Sequence, residues 1–371
     1  MKRKGLRLFS FFKKIRKHPL GAEINGQSTP FLLKDRVFIA RFFLSTFLGG
    51  KKMKRCGHYE ADFAVNPIWH KQFGVIWLDI RAQKIITYYP TSEEEHVYDA
   101  MGPIAAIVPI EDGEFIGVYK DGLYKINFKM GTKKPFTFPT GLSTMHYLND
   151  AKCGPDGYIW VGSSDGFFKK FRETAPTAMS DYPFHNSKLY RISPNGEIQI
   201  LLENIASSNG LAWQPETNTF FHIDSAKQSI FEYKYLEEGI LEFQRVVYTS
   251  EMLEGFPGGM TIDAQGNLWI ALYQGGLIAK KSKKPTRIIC LNPTTMQILD
   301  EILLPVTHVT SCVIGGENLD MLYITTARDP ISQAATTNEP MAGYLLEVPI
   351  HSVGIEQFVV PVMQRNSIKI V

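Results

Sequence analysis

Two short phrases carry the residue types best suited to chemistry: Ser208-Asn209-Gly210-Leu211-Ala212-Trp213 and Phe256-Pro257-Gly258-Gly259-Met260-Thr261-Ile262-Asp263. The amide oxygen of Asn209 is a ligand type for a hard divalent cation, but such an ion is held by about six or more oxygens, several of them charged. One neutral amide cannot hold it alone. Gly162-Ser163-Ser164-Asp165-Gly166 has the spacing of a nucleophile elbow. That serine works only on a strand-to-helix turn, whereas Phe167-Phe168-Lys169-Lys170 reads as further strand or loop, so the segment is read as an ordinary turn. His146 and His222 have no partner at metal spacing, and His222 within Phe220-Phe221-His222-Ile223-Asp224 reads as a strand residue. Cys56, Cys153, Cys290 and Cys312 show neither paired nor metal-type spacing and read as buried or free thiols. No phosphate loop, zincin helix or dinucleotide fingerprint occurs.

The elements that must position these residues repeat. Gly74 to Ile80 with Lys84 to Tyr89, Glu111 to Val118 with Gly122 to Ile126, Pro155 to Gly162, Pro215 to Phe221, Ala264 to Ala271 and Gly316 to Thr325 all read as strand, polar turn, strand. Apolar and aromatic residues alternate between Asp-Gly, Asn-Gly or Gly-Asn turns, which marks antiparallel strands. The spacing of roughly 40–60 residues fits a propeller blade of four strands, and the count gives about six blades. All five tryptophans lie in or beside these cassettes. One blade cannot bury such faces, so neighbours must stack around an axis, and the mouth of that channel is where a small-molecule site would form. The sequence therefore predicts an all-β, six-bladed β-propeller of four-stranded antiparallel blades.

The run Asn149-Asp150-Ala151-Lys152, the two phrases above, Gly266 to Ala271, Leu304-Pro305 with Thr310-Ser311-Cys312 and Gly315-Gly316, and Tyr323 to Arg328 together resemble the family of senescence marker protein (regucalcin), gluconolactonase and luciferin-regenerating enzyme. The resemblance runs in unbroken order over residues 60–360. It implies a divalent cation (Ca²⁺, Zn²⁺, Mn²⁺ or Mg²⁺) in the channel and hydrolysis of sugar lactones or related cyclic esters. In such chemistry a Lewis acid takes up charge on the carbonyl oxygen while the metal or a base activates water.

By the same resemblance Asn209 is a metal ligand, and Asn149 and Tyr147 stand at substrate-contacting positions, Tyr147 in place of an arginine. The other two ligand positions hold Val65, where a glutamate belongs, and Gly258, where an aspartate that is also the candidate base belongs. Glu254 and Asp62 are possible substitutes. Strand alternation argues against Asn66 replacing Val65, because neighbours in a strand face opposite sides. Tyr147, Asp150 and His146 are candidates for a different reaction around the same channel. Two readings follow: a divergent lactone hydrolase, or a non-catalytic propeller binding a small molecule or protein partner.

Charge divides the chain in two. Residues 1–55 carry 15 Lys and Arg against Glu23 and Asp35, whereas the remainder carries 25 bases against 35 acids, within a total of +3. An acidic propeller argues against nucleic acid as a partner. Residues 1–52 form a basic extension, read as a disordered tail or as sequence upstream of a true start at Met53, and residues 53–371 as the propeller. Membrane contact is expected only if the basic segment, with Leu6, Phe9, Phe11 and Phe12 between its charges, makes an interfacial helix. No secretory signal emerges, and unpaired cysteines fit a reducing compartment, so the expected location is the cytoplasm. Lys280, Lys281, Lys283 and Lys284 read as a solvated insertion in the fifth blade.

Overall fold

A computed structural model describes residues 52–140, 142, 146–167, 185–236, 239–249, 255–273, 285–328 and 339–362. By contacts the chain divides into Met1–Phe47 and Leu48–Val371. The basic extension up to residue 51, Glu254 and the Lys280–Lys284 cluster lie outside the described residues.

Six four-stranded antiparallel sheets make the blades of a six-bladed propeller. The first blade contains Ala64–His70, Gly74–Asp79, Lys84–Tyr89 and Glu94–Asp99. The next four follow the same order, their inner strands being Ile104–Pro109, His146–Cys153, Ser208–Gln214 and Phe256–Ile262. The sixth takes Val309–Gly315, Met321–Thr326 and Leu345–Pro349 from the end of the chain and its outermost strand, Lys54–Cys56, from the beginning. Lys54 pairs with Glu347 and Cys56 with Leu345, so the two ends of the propeller are joined in one sheet and the ring is closed.

Burial follows position in the blade. Gly74–Asp79 is buried along its whole length, because blades cover both of its faces, and it reads as an apolar run ending in Asp79. Outer strands such as Glu94–Asp99 are largely exposed and carry the charges. The apolar clusters lie between blades: Ile68, Phe73 and Ile76 of the first meet Ile107, Phe115 and Phe128 of the second. Trp160 and Leu189 of the third meet Trp213 and Phe220 of the fourth. Trp69 stacks on Tyr323 across the closing junction, with ring centroids 6.1 Å apart. The four cysteines are buried and form no disulfide with one another.

Each inner strand carries a register shift near its start: between Val65 and Ile68, Ile104 and Ala106, Leu148 and Ala151, Ser208 and Leu211, Pro257 and Met260, and Val309 and Ser311. A bulge leaves a residue unpaired and re-aims side chains. Six bulges at one level therefore make a ring of residues turned toward the axis. The opposite end of the channel is crossed by the C-terminal segment. Val353 accepts from Ala264 of the fifth blade at 2.8 Å, and Val360 exchanges bonds of 3.0 Å with Pro109 and Glu111 of the second. Ile355 and Phe358 cover a void of ≈ 50 Å³ there. Among the described residues no helix is long and apolar enough to cross a membrane.

Candidate functional site

A cavity of ≈ 470 Å³ opens at the level of the bulges, within the size range of small-molecule sites. Phe63, Val65, Ile80, Ile104, Phe256 and Tyr273 form its apolar walls. The His308 ring stacks on Tyr273 at 4.0 Å and meets Phe63 edge-on at 5.1 Å. Arg81 and Lys120, in equivalent turns of the first and second blades, bring positive charge to the lining and are exposed.

The bulges bring Asn149, Tyr147 and Asn209 into this one cavity, together with Val65 and Gly258. The Asn209 amide donates to Ser225 Oγ at 3.1 Å, and that hydroxyl donates to the Pro257 carbonyl at 2.8 Å. The Asn149 amide donates to the Ser208 carbonyl at 2.7 Å. Gly258 lacks more than a carboxylate. A Cβ there would stand 2.5 Å from the Thr310 carbonyl oxygen, so the space for any side chain is closed by the neighbouring blade. Asp62 is exposed and absent from the lining; its N–H donates to Asp79 and its carbonyl accepts from Arg328.

Asn66 departs from the expected alternation. It sits in the bulge with φ 48°, is buried, and lines the same cavity as Val65. Its Oδ1 accepts from the Ile107 N–H at 2.9 Å and its Nδ2 donates to Asp150 Oδ1 at 3.0 Å, which ties three blades together. Alternation holds only for a regular strand, and a left-handed residue at a bulge breaks it. An Asn ahead of a Pro in an otherwise apolar strand was the available signal, since Asn tolerates positive φ better than most residues.

Asp150 is the single carboxylate of the lining among the described residues. Burial pushes its carboxyl above the usual range, while the Lys152 ammonium, the Asn66 amide and the Ala151 N–H pull against that shift. The surface it retains faces the cavity, so it is deep without being covered. Burial lowers Lys152, opposed by Asp150 and Cys312, and its Nζ donates to the carbonyls of Leu211 at 2.8 Å and Met260 at 2.7 Å.

Other sequence candidates serve the framework. Ser164 is buried and its Oγ lies 2.7 Å from Ser207 Oγ. Gly166 and Phe167 are helical, Phe168, Lys169 and Lys170 lie outside the described residues, and the buried hydroxyl offers no nucleophile to a ligand. His222 is buried and bonded to Ser208 Oγ at 2.8 Å, and burial lowers its pKa to about 4. Asp224 accepts from the backbone N–H groups of Ala206, Ser207 and Ala226 at 3.0–3.2 Å. Asp79 binds those of Asp62, Phe63, Arg81 and Ala82 in the same way.

These donors do not fit a divalent cation of the kind the resemblance implies. Ca²⁺ needs about six to eight oxygens with several carboxylates. Among the described residues the cavity offers one carboxylate, already bonded to Asn66 and beside an ammonium, and two amide oxygens. No group of three or more His, Cys, Asp or Glu that could hold a metal occurs among the described residues.

The family profile described as "SMP-30/Gluconolactonase/LRE-like region" matches residues 64–328. The sugar lactone lactonase homologue YvrE of Bacillus subtilis (strain 168) is 27% identical over 299 residues, covering 80% of this chain and 94% of its own. Human regucalcin is 27% identical over 296 residues, covering 79% and 90%. The solved structure of a luciferin-regenerating enzyme superposes with a TM-score of 0.72 at 23% identity, covering 84% of this chain and 100% of that one. With the profile spanning every inner strand of the ring, the chain belongs to the SMP-30/gluconolactonase/LRE-like family.

Proposed function

We propose that the central cavity binds a small, oxygen-rich cyclic ester of the lactone class, or the hydroxy acid it yields, and does so without a carboxylate-held cation. The observation that carries this reading is the convergence of Asn149, Asp150 and Asn209 at the floor of one ≈ 470 Å³ cavity with apolar walls. A pocket of that size, mostly apolar with a few convergent polar groups, is how small-molecule sites are built. The ligand class is supported by the relative named for sugar lactones.

A second reading adds turnover. Asp150, its carboxyl raised by burial and its exposed surface facing the cavity, is placed to act as a base. It would take the proton of a water attacking the ester carbonyl carbon. The tetrahedral intermediate would then expel the ring oxygen, which takes a proton back and leaves the open hydroxy acid.

The test is the melting temperature of the chelator-treated protein against a panel of γ- and δ-lactones, with hydrolysis followed by acid release. At a ligand concentration 100 times Kd the expected gain is about 2.7 kcal/mol, a shift of a few degrees. A saturable shift lost in Asn209→Leu supports the binding reading. Turnover that survives chelation and vanishes in Asp150→Asn supports the second. Turnover that needs an added divalent cation would overturn the cation-free site, and neither shift nor turnover across the panel would overturn both readings.

A further inference from the structure

The hydrogen-bonding roles on the cavity floor are fixed by partners that can play only one part. The Ser208 carbonyl can only accept, so Asn149 must turn its NH₂ away from the ligand and present Oδ1. The Pro257 carbonyl can only accept, so Ser225 donates to it and receives the Asn209 NH₂, again leaving Oδ1 for the cavity. The Ile107 N–H can only donate, so Asn66 offers its NH₂ to Asp150 and holds that carboxylate by one oxygen. No described residue donates to Asn149 Oδ1 or Asn209 Oδ1. The floor therefore presents three acceptors: the two amide oxygens and the Asp150 carboxylate, which also accepts from the Ala151 N–H.

Two kinds of ligand satisfy an acceptor floor, a cation or a set of hydroxyl donors. The charge of the lining decides between them. Among the described residues Asp150 is its only acid, Lys152 sits behind it, and Lys120 and Arg81 stand toward the exposed end. A cation would meet Lys120 and Arg81 on the way in, and at the floor a carboxylate whose charge the Lys152 ammonium already offsets. A hydroxylated ligand meets the acceptors of the floor and the Tyr147 and Ser311 hydroxyls, and any anionic group it carries is drawn to the end where the two cations lie.

We infer that the cavity takes a polyhydroxylated ligand bearing a carboxylate or phosphate, its hydroxyls on Asn149, Asp150 and Asn209 and its anionic group toward Lys120 and Arg81. This rests on the cavity being the ligand site proposed above. It narrows the class from lactones and hydroxy acids to polyols whose anionic group is read by Lys120 and Arg81.

The test is calorimetric titration of the full chain with sorbitol, gluconate, sorbitol 6-phosphate and inorganic phosphate at low salt. An exposed charge pair contributes about 1 kcal/mol at most, roughly a fivefold change in Kd. The two anionic polyols are expected to bind about five- to tenfold more tightly than sorbitol, and the tighter of them identifies the anion. Lys120→Met, an exposed substitution that leaves the core intact, should reduce that preference to about twofold or less. Asn149→Leu should weaken sorbitol and both anionic polyols together, with its melting curve checking that it folds. Equal affinity for sorbitol and the anionic polyols would overturn the inference while leaving the cavity reading standing. Phosphate binding as tightly as sorbitol 6-phosphate would also overturn it, because the hydroxyl floor would then contribute nothing. If the lactone panel shifts the melting temperature and no polyol binds, this inference alone fails; if nothing binds at all, both fail.

Discussion

Gly258 shows why replacing one residue does not simply reverse a lost function. The resemblance assigns that position to an aspartate, but here the Thr310 carbonyl of the adjacent blade stands 2.5 Å from where its Cβ would lie. Gly258→Asp should therefore destabilise the protein by about 1–3 kcal/mol, the usual range for overpacking, without creating a cation site. Thermal melts with and without millimolar Ca²⁺ would check this. A variant as stable as the parent that gained a saturable Ca²⁺-dependent shift would show that the backbone yields and the ligand set can be rebuilt. Val65 differs, since it already borders the cavity and contributes wall in place of charge.

At the scale of elements, the bulge rather than the strand is the functional unit. A regular inner strand would turn every second side chain to the axis; the register shift lets Val65 and Asn66 both reach the cavity, and likewise Asn149 and Asp150. Asn66 depends on this most, because its left-handed backbone and both ends of its amide are used. Asn66→Ala should cost about 1–3 kcal/mol by leaving the Ile107 N–H without its acceptor. It should also loosen Asp150, seen as a change in the pH dependence of ligand binding alongside the lower melting temperature. Unchanged melting and an unchanged pH profile together would remove Asn66 from the support of the site.

For the whole molecule, burial of a neutral histidine between the third and fourth blades links stability to pH. His222 in the folded state keeps its ring neutral down to about pH 4, whereas the ordinary value is 6.5. Between those values the unfolded chain binds the extra proton, so this contribution is complete above about pH 6.5 and is lost as pH falls toward 4. A shift of this size corresponds to something on the order of 3 kcal/mol. Denaturant titrations from pH 7 to pH 4 should show the decline, and His222→Gln should flatten it; a variant declining as steeply as the parent would place the titration elsewhere.

The repeated cassettes, their aromatic alternation and their turn residues determined the propeller and its six blades, because each blade's pattern is local and recurs along the chain. The absence of a glutamate at Val65 and of an aspartate at Gly258 was equally plain. The closing strand Lys54–Cys56 was hidden, since its partner Leu345–Pro349 lies at the far end of the sequence and three residues carry no periodicity. So was the role of Asn66, because alternation presumes a regular strand and only the ring shows that all six inner strands break it at the same level. Which way each amide points, which carboxylates the backbone already occupies, and whether Gly258 has room for a side chain are matters of contact between blades. Blades distant in sequence meet only when the ring closes, so tertiary structure alone decided the chemistry of the cavity.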